Sequence, residues 1–128
     1  MASGSTDISI SRDPDTVWKT VGDFGGLKSW LPGIDSCELE GDDRVLGMMG
    51  MTLRERLLNR DDATHSITYS IVESPMQIDK HEATVTITPA DGGSLVTWDV
   101  EVVPDNLLDV FVQTYAGGLA SLKSNVES

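Results

Sequence analysis

The sequence predicts an α+β domain in which a curved, seven-stranded antiparallel sheet wraps around one long C-terminal helix, with two short helices between the first and second strands. Two observations predict it. Between residues 34 and 103, apolar and polar residues alternate in six runs separated by turn residues, as in half-buried strands. After Pro104, apolar residues recur at steps of three and four, which is the period of a helix. An antiparallel sheet that buries one face needs a cover, and only this helix is long enough.

The predicted elements follow one another from end to end. Ile8 and Ile10 alternate with serines and indicate a short first strand. Asp13 can cap the next helix, Pro14 suits its first turn, and another helical turn fits before Pro32. The six later strands are expected at residues 34–40, 44–49, 51–59, 64–73, 80–89 and 94–103.

The final helix is expected over residues 105 to about 126. Its apolar face consists of Leu108, Phe111, Val112, Tyr115, Leu119, Leu122 and Val126. Gly117 and Gly118 lie in its middle, where each glycine costs about 1 kcal/mol of helix stability relative to alanine. They indicate a kink, close packing, or room for a ligand beside the helix.

The composition bounds the classes of protein that fit. The 128 residues suffice for one domain, spanning residues 1–128, and are too few for two. A net charge of −12 without any cluster of Lys and Arg argues against nucleic acid or an anionic membrane as partner. Cys37 is the only cysteine, which excludes an internal disulfide and a thiolate metal cluster. No apolar run resembles a membrane span or a signal-peptide core, so we expect a cytoplasmic protein, either a monomer or a homodimer.

Glu55 is the first candidate for function, because it shares the apolar side of a strand. In the segment 51–59, Leu53, Glu55 and Leu57 have the same parity, while Arg54 and Arg56 point the other way. A carboxylate among leucines must find a partner, hold a proton, or face water or a ligand in a cavity, because burying it bare costs too much.

Two neighbouring strands bring further polar side chains to the same face. Tyr69 has the parity of the isoleucines in its strand, and His81 has the parity of the apolar residues in the next. A three-residue loop at 61–63 places Glu55 opposite Tyr69, and a comparable loop at 75–77 leaves His81 diagonal to Tyr69. Opposed positions lie about 5 Å apart and diagonal ones about 7–8 Å. The three side chains then form a polar triangle, unless a bulge shifts either hairpin.

The rest of the wall is expected to be apolar or aromatic. The predicted substrate-binding residues are Trp30, Leu53, Leu57, Ile67, Ile71, Met76, Ala83, Val85, Trp98, Phe111 and Tyr115. Methionines fill irregular space and adapt to different contacts, so Met48, Met49 and Met76, together with Pro75, are expected to frame an entrance.

The order of elements and several short motifs resemble the SRPBCC or START-like helix-grip superfamily. This group includes START domains, the birch-pollen allergen (Bet v 1) type, polyketide cyclases/dehydrases and plant abscisic acid receptors. The resemblance extends from Ile8 to Val126 and rests on Val17-Trp18, Asp23-Phe24, the segment 30–34, the segment 53–57, Asp61-Asp62 and the segment 111–115.

The resemblance implies an interior pocket between the sheet and the long helix. In the abscisic acid receptors, the Glu of a similar Glu-Arg-Leu strand contacts the bound acid, partly through water, and Glu55 is the matching position. Their gate and latch loops correspond to residues 47–50 and 74–77. Neither loop keeps the receptors' signature residues, so hormone recognition and phosphatase binding are not implied. The chain is most similar to the short bacterial cyclase/dehydrase-like members.

A carboxylate, an imidazole and a phenol around an apolar pocket favour cofactor-independent proton transfer on a small, mostly apolar carbonyl substrate. The expected reaction is of the cyclase, dehydratase, lyase or isomerase type. Glu55 would be the general acid or base, His81 would share the proton transfer, and Tyr69 would donate to the developing oxyanion. The alternative is a non-catalytic carrier, store or sensor of a hydrophobic small molecule, in which Glu55 anchors a polar end.

Other classes fit less well. A metal site is not expected, because two histidines on different strands and one cysteine provide no usual ligand spacing. A nucleophilic hydrolase lacks a serine elbow motif, and an interaction domain lacks an evident apolar patch.

Overall fold

One antiparallel sheet of seven strands dominates the computed structural model, which describes residues 2–128. The strands are β1 (Ala2–Ile10), β2 (Ile34–Glu40), β3 (Asp43–Met48), β4 (Met51–Asp61), β5 (Ser66–Glu73), β6 (Lys80–Ala90) and β7 (Gly93–Val103). Their order across the sheet is β1-β7-β6-β5-β4-β3-β2. The last six strands therefore form a meander, and the first strand joins its far edge beside β7.

Strand β1 is longer than predicted. It pairs with β7 along its whole length, from Ala2 opposite Val102 to Ile10 opposite Ser94. Its first half consists of small and polar residues without apolar alternation, so periodicity alone could not reveal it. Small residues suit this edge because the C-terminal helix packs close: a Cβ on Gly4 would lie 3.1 Å from the side chain of Val112.

Two helical segments lie between β1 and β2, as predicted, and they connect the opposite edges of the sheet. Helix α1 spans Pro14–Val21, and a short 3₁₀ helix spans Phe24–Ser29. Asp13 precedes α1 at the cap position, but its side chain accepts a hydrogen bond from the Thr16 hydroxyl and not from a backbone N–H. The buried residues of both segments are Val17, Trp18, Val21, Phe24 and Leu27.

Helix α2 (Leu108–Glu127) follows a 3₁₀ turn at Asp105–Leu107 and packs against β1 and β7. Its buried face consists of Phe111, Tyr115, Gly118, Leu119 and Leu122. Gly118 reflects close packing, because a Cβ there would lie 2.5 Å from Leu31 and 3.2 Å from the Trp98 ring. Gly117, in contrast, faces open space.

The predicted parity of the central strands is confirmed. Glu55, His81 and Tyr69 all point inward and are buried. The apolar residues predicted on the same face are also buried: Ile67, Ala83, Val85, Ile87, Val96, Trp98, Val100 and Val102.

The predicted register between β4 and β5 is wrong by two residues at Glu55. The turn is longer than the three residues predicted: Asp61 pairs with Ser66, so residues 62–65 form the loop and the register at the turn differs by three residues. A bulge between Leu57 and Asn59 reverses one residue of this shift, and a second bulge, between Arg54 and Glu55, lies beyond Glu55. Glu55 consequently lies opposite Ile71, and Tyr69 lies opposite Leu57.

Candidate functional site

A cavity of about 240 Å³ lies between the sheet and α2. Its wall is mostly apolar, because the inward residues of β3, β4, β5 and β7 meet the buried face of α2 there. Six of the predicted lining residues contribute to this wall: Leu53, Ile71, Met76, Trp98, Phe111 and Tyr115.

Methionines surround the open end of the cavity. Met48, Met49, Met51 and Met76 all contribute to its wall, and Met49 is 75% exposed. Val110, at the start of α2, contributes from the other side and is also exposed. The mouth is therefore formed by the β3–β4 turn, the loop after β5 and the start of α2, close to where the sequence predicted it. Pro75, which was predicted to frame it, does not line the cavity.

Glu55 forms a buried ion pair with Arg44, directly across the β3–β4 hairpin. The two residues are only 6% and 5% exposed. Arg44 Nε donates to Glu55 Oε1 at 2.8 Å, and Arg44 Nη2 lies 2.7 Å from the same oxygen. Both residues line the cavity. A partner and a cavity were two of the alternatives expected for a carboxylate on this face. Glu55 has both, because it pairs with Arg44 and also lines the cavity.

Arg44 is held in place by more than its ion pair. Its Nη1 donates to the backbone oxygen of Phe24 at 3.1 Å. Its guanidinium carbon lies 4.0 Å from the centre of the Phe24 ring and 4.9 Å from that of Tyr69, distances at which a cation is attracted to an aromatic face. The arginine is consequently fixed between two rings and orients the carboxylate of Glu55.

Arg44 was not among the residues predicted to form the site, although the sequence contains the signal for it. Leu46 and Met48 follow it at steps of two and set the inward parity of β3. Met49 and Gly50 form a two-residue turn in which both have positive φ, 51° and 78°, as in a type I′ hairpin turn. Such a turn pairs Met48 with Met51 and therefore Arg44 with Glu55.

His81 lies behind the wall of the cavity and not in it, because α2 covers it. Its Nδ1 accepts a hydrogen bond from the Ile71 backbone N–H at 3.2 Å, and its Nε2 lies 2.9 Å from the Tyr115 hydroxyl. Burial lowers the pKa of His81 to about 4, so the ring is neutral near pH 7. Since Nδ1 accepts, the single ring proton lies on Nε2 and is donated to Tyr115.

Tyr69 continues this network and does line the cavity. The indole Nε1 of Trp98, whose ring stacks on that of Tyr115, donates to its hydroxyl at 3.2 Å. Burial raises the pKa of the Tyr69 hydroxyl, and the negative charge of Glu55 raises it further. Burial likewise raises the pKa of Tyr115. Both phenols are thus neutral hydrogen-bonding groups at ordinary pH.

The remaining predicted lining residues lie elsewhere. Trp30, Ile67 and Val85 surround a separate void of about 10 Å³. This void lies toward the end of the sheet where α1 packs on β6, away from the methionine mouth. Ala83 is buried in the packed core. Leu57 is only partly buried, because the bulge that follows it ends the regular inward alternation of β4.

Among residues 2–128, no group of three or more His, Cys, Asp or Glu side chains is placed to hold a metal ion. In the same part of the chain, no helix has the length and apolar character needed to cross a membrane.

Comparison with known proteins covers the whole chain. Residues 1–127 match a family model described as polyketide cyclase / dehydrase and lipid transport. The structure of the protein XoxI from Bacillus cereus is similar with a TM-score of 0.93 and 30% sequence identity, over 100% of this chain and 97% of that one. A putative uncharacterized protein from Bacillus thuringiensis has a TM-score of 0.92 and 27% identity, over 99% and 100% of the two chains. Ara h 8.0201, at 19% identity and a TM-score of 0.81 over 98% and 97%, shares the fold.

Proposed function

Since this chain belongs to the polyketide cyclase / dehydrase and lipid transport family and has its helix-grip fold, we propose that it binds a small, mostly apolar molecule in the cavity beside α2. The observation that carries the proposal is the composition of the cavity wall. The wall is apolar along most of its surface, and the charged pair Arg44–Glu55 and the hydroxyl of Tyr69 interrupt it. A few oriented polar groups in an apolar pocket are typical of small-molecule sites.

The volume limits the size of the ligand. An apolar cavity of about 150 Å³ is large enough to bind benzene. A cavity of about 240 Å³ therefore suits a single ring with a short substituent or a chain of similar bulk. The methionine side chains at the mouth, of which Met49 is exposed, can move without breaking hydrogen bonds, so slightly longer molecules can extend between them.

A second candidate is a proton-transfer enzyme of the cyclase, dehydratase, lyase or isomerase type. It is favoured by one observation: Glu55 and the neutral Tyr69 hydroxyl line the same cavity. Glu55 could take a proton next to a substrate carbonyl while Tyr69 donates to the oxygen on which charge develops. His81 would act through Tyr115 as a positioning residue, since it does not line the cavity.

The test begins with native mass spectrometry of the protein purified from its own host. A retained small molecule that is released unchanged after incubation supports binding, and one that is converted supports the enzyme. If the protein retains no small molecule and binds no added apolar molecule, including a fluorescent apolar dye, both proposed functions are contradicted.

The Glu55→Gln variant then separates the two functions. For an enzyme, it should reduce turnover by about 10²-fold or more, the scale of a positioned acid or base, while apolar ligands still bind. For a binding protein, neither form should show a reaction. Glu82→Gln is the matched control, because Glu82 is an exposed acid on the outer face of β6.

A further inference from the structure

The hydrogen bonds at the polar end of the cavity all run in one direction. The chain starts at the Ile71 backbone N–H, which can only donate, and passes through the neutral ring of His81 to the Tyr115 hydroxyl. Because Tyr115 accepts the His81 proton, its own O–H is free to donate toward Tyr69, whose pKa burial raises and the Tyr115 hydroxyl lowers. The direction of both His81 bonds thus follows from a backbone amide that cannot reverse.

Tyr69 accepts from a fixed donor at this end of the chain. The indole N–H of Trp98 donates to its oxygen at 3.2 Å, and an indole nitrogen is a donor only. The Trp98 ring is stacked on that of Tyr115, with centroids 4.0 Å apart and planes at 5°, which holds the donor in place. Because the Tyr69 oxygen already accepts from Trp98, the group that Tyr69 offers to the cavity is its O–H proton.

Glu55 presents a hydrogen-bond acceptor to the cavity, whereas Tyr69 presents a donor. The Arg44 Nε hydrogen bond and the short Nη2 contact both fall on Oε1, which leaves Oε2 as the acceptor that can face a ligand. The charge of Arg44 is matched by Glu55, and its faces are covered by Phe24 and Tyr69. An added anion would therefore meet a carboxylate and find no unmatched positive charge in the pair.

We propose that the cavity selects a neutral ligand whose polar end carries a hydrogen-bond acceptor next to a hydrogen-bond donor, such as a primary amide or a hydroxy-carbonyl group, and that it discriminates against carboxylates. The acceptor receives the O–H of Tyr69, and the donor binds Oε2 of Glu55. The inference rests on the proposed binding function and defines the chemical class of its ligand.

The test uses three probes of nearly equal shape: 3-phenylpropanamide, 4-phenylbutan-2-one and 3-phenylpropanoate. The amide supplies a donor and an acceptor, the ketone only an acceptor, and the carboxylate a negative charge. Isothermal titration calorimetry at a pH of about 7.5 to 8 measures each Kd. At this pH the amide and the ketone are neutral, and the carboxylate is ionised. We expect the amide to bind about tenfold or more tightly than the ketone, since a hydrogen bond to a charged group is lost, and the carboxylate to bind weakest.

Two variants assign the selectivity to its residues. Glu55→Gln should reduce the preference for the amide over the carboxylate by about tenfold or more, because the repelling charge is gone. Tyr69→Phe should weaken the binding of the amide and of the ketone alike, because both accept a hydrogen bond from its O–H. Glu82→Gln should leave all three affinities unchanged.

The possible results lead to different conclusions. A carboxylate that binds the parent protein as tightly as the amide would overturn the inferred polarity while leaving the binding function intact. Failure of all three probes and of an apolar dye would overturn the binding function itself, and this inference with it. If Glu55→Gln does not fold, the ranking of the three probes on the parent protein and on Tyr69→Phe still decides the question.

Discussion

Arg44 and Glu55 neutralise each other in the interior, and for that reason each depends on the other. Removing water from two opposite charges is costly, and the ion pair recovers that cost only while both members are present. The structure places the guanidinium between the rings of Phe24 and Tyr69, so it cannot turn to water when its partner is removed. The pair is therefore a site of strong energetic coupling.

We predict that Arg44→Met destabilises the protein by about 3–5 kcal/mol, since it leaves Glu55 buried without a counter-charge. The double variant Arg44→Met/Glu55→Leu should recover most of that loss, because no unpaired charge remains. Urea unfolding of the parent, both single variants and the double variant measures the coupling. Arg56→Met, on the exposed side of β4, is the control and should cost much less. Additive single effects would contradict the prediction.

The burial of His81 predicts that the stability of the folded protein depends on pH. Burial lowers the pKa of His81 from the ordinary 6.5 to about 4 in the folded protein, so protonation favours the unfolded chain. The stabilisation is fully present above pH 6.5 and is lost as the pH falls toward 4, by about 3 kcal/mol in total. Carboxylates whose pKa is lowered by hydrogen bonds, such as that of Asp62, which accepts one from Arg60, lose their contribution mainly below their ordinary pKa of 3.8, outside this window.

Melting temperatures between pH 4.5 and 7.5 test this prediction. The parent protein should lose stability across the window, and His81→Gln should be less stable at pH 7.5 but should depend less on pH. His65→Gln, which removes the histidine next to Asp15, is the matched control. Equal slopes for the parent and His81→Gln would show that another group titrates.

At the scale of elements, the two glycines of α2 have opposite surroundings although they are neighbours. Gly117→Ala should stabilise the protein by up to about 1 kcal/mol, because alanine is the better helix former and its Cβ meets nothing within 4 Å. Gly118→Ala should be destabilising relative to Gly117→Ala, because its Cβ would force Leu31 and the Trp98 ring to shift. Thermal unfolding of both variants compares them directly, and an equal gain at both positions would mean that α2 packs less closely than the structure shows.

The regular elements could be predicted from the sequence, whereas their irregularities could not. Alternation alone located six strands and the inward positions of Glu55 and Tyr69, because those positions depend only on the period of a strand. The β4–β5 turn has four residues where three were predicted, and this longer turn, only partly offset by the bulge after Leu57, moved Tyr69 away from its predicted partner. Nothing in a local pattern determines that loop length or marks where an extra residue enters a curved sheet. Arg44 could have been found, because a two-residue turn determines the register of its hairpin.

At the scale of the whole molecule, the inward face of the sheet divides into a packed half and a hollow half. Ile67 and Ile71 represent the two halves on a single strand. Ile67 is 3% exposed and lines only the small void, whereas Ile71 is partly buried and lines the large cavity. The sequence predicted both as pocket residues, because parity distinguishes faces of a strand and not positions along it.

Ile67→Ala should therefore cost about 2–5 kcal/mol, the usual loss for a packed core residue, without any gain in binding of an apolar dye. Ile71→Ala should cost less and should increase dye binding or admit a bulkier ligand. Chemical unfolding and dye titration of the two variants provide the measurement. The same penalty at both sites, with unchanged dye binding, would mean that the interior is solid.

The ion pair at the polar end of the cavity lies within one short stretch of chain. Arg44 and Glu55 belong to a single hairpin, residues 43–61, whereas the helix that closes the cavity is encoded far downstream. Replacing that hairpin would exchange the charges presented to a ligand, together with the part of the mouth formed by its turn, and leave the covering helix and most of the core unchanged. Recognition chemistry and the cover of the cavity can accordingly diverge independently in evolution, through separate segments of the gene. Such separation gives one scaffold the means to serve many unrelated small molecules.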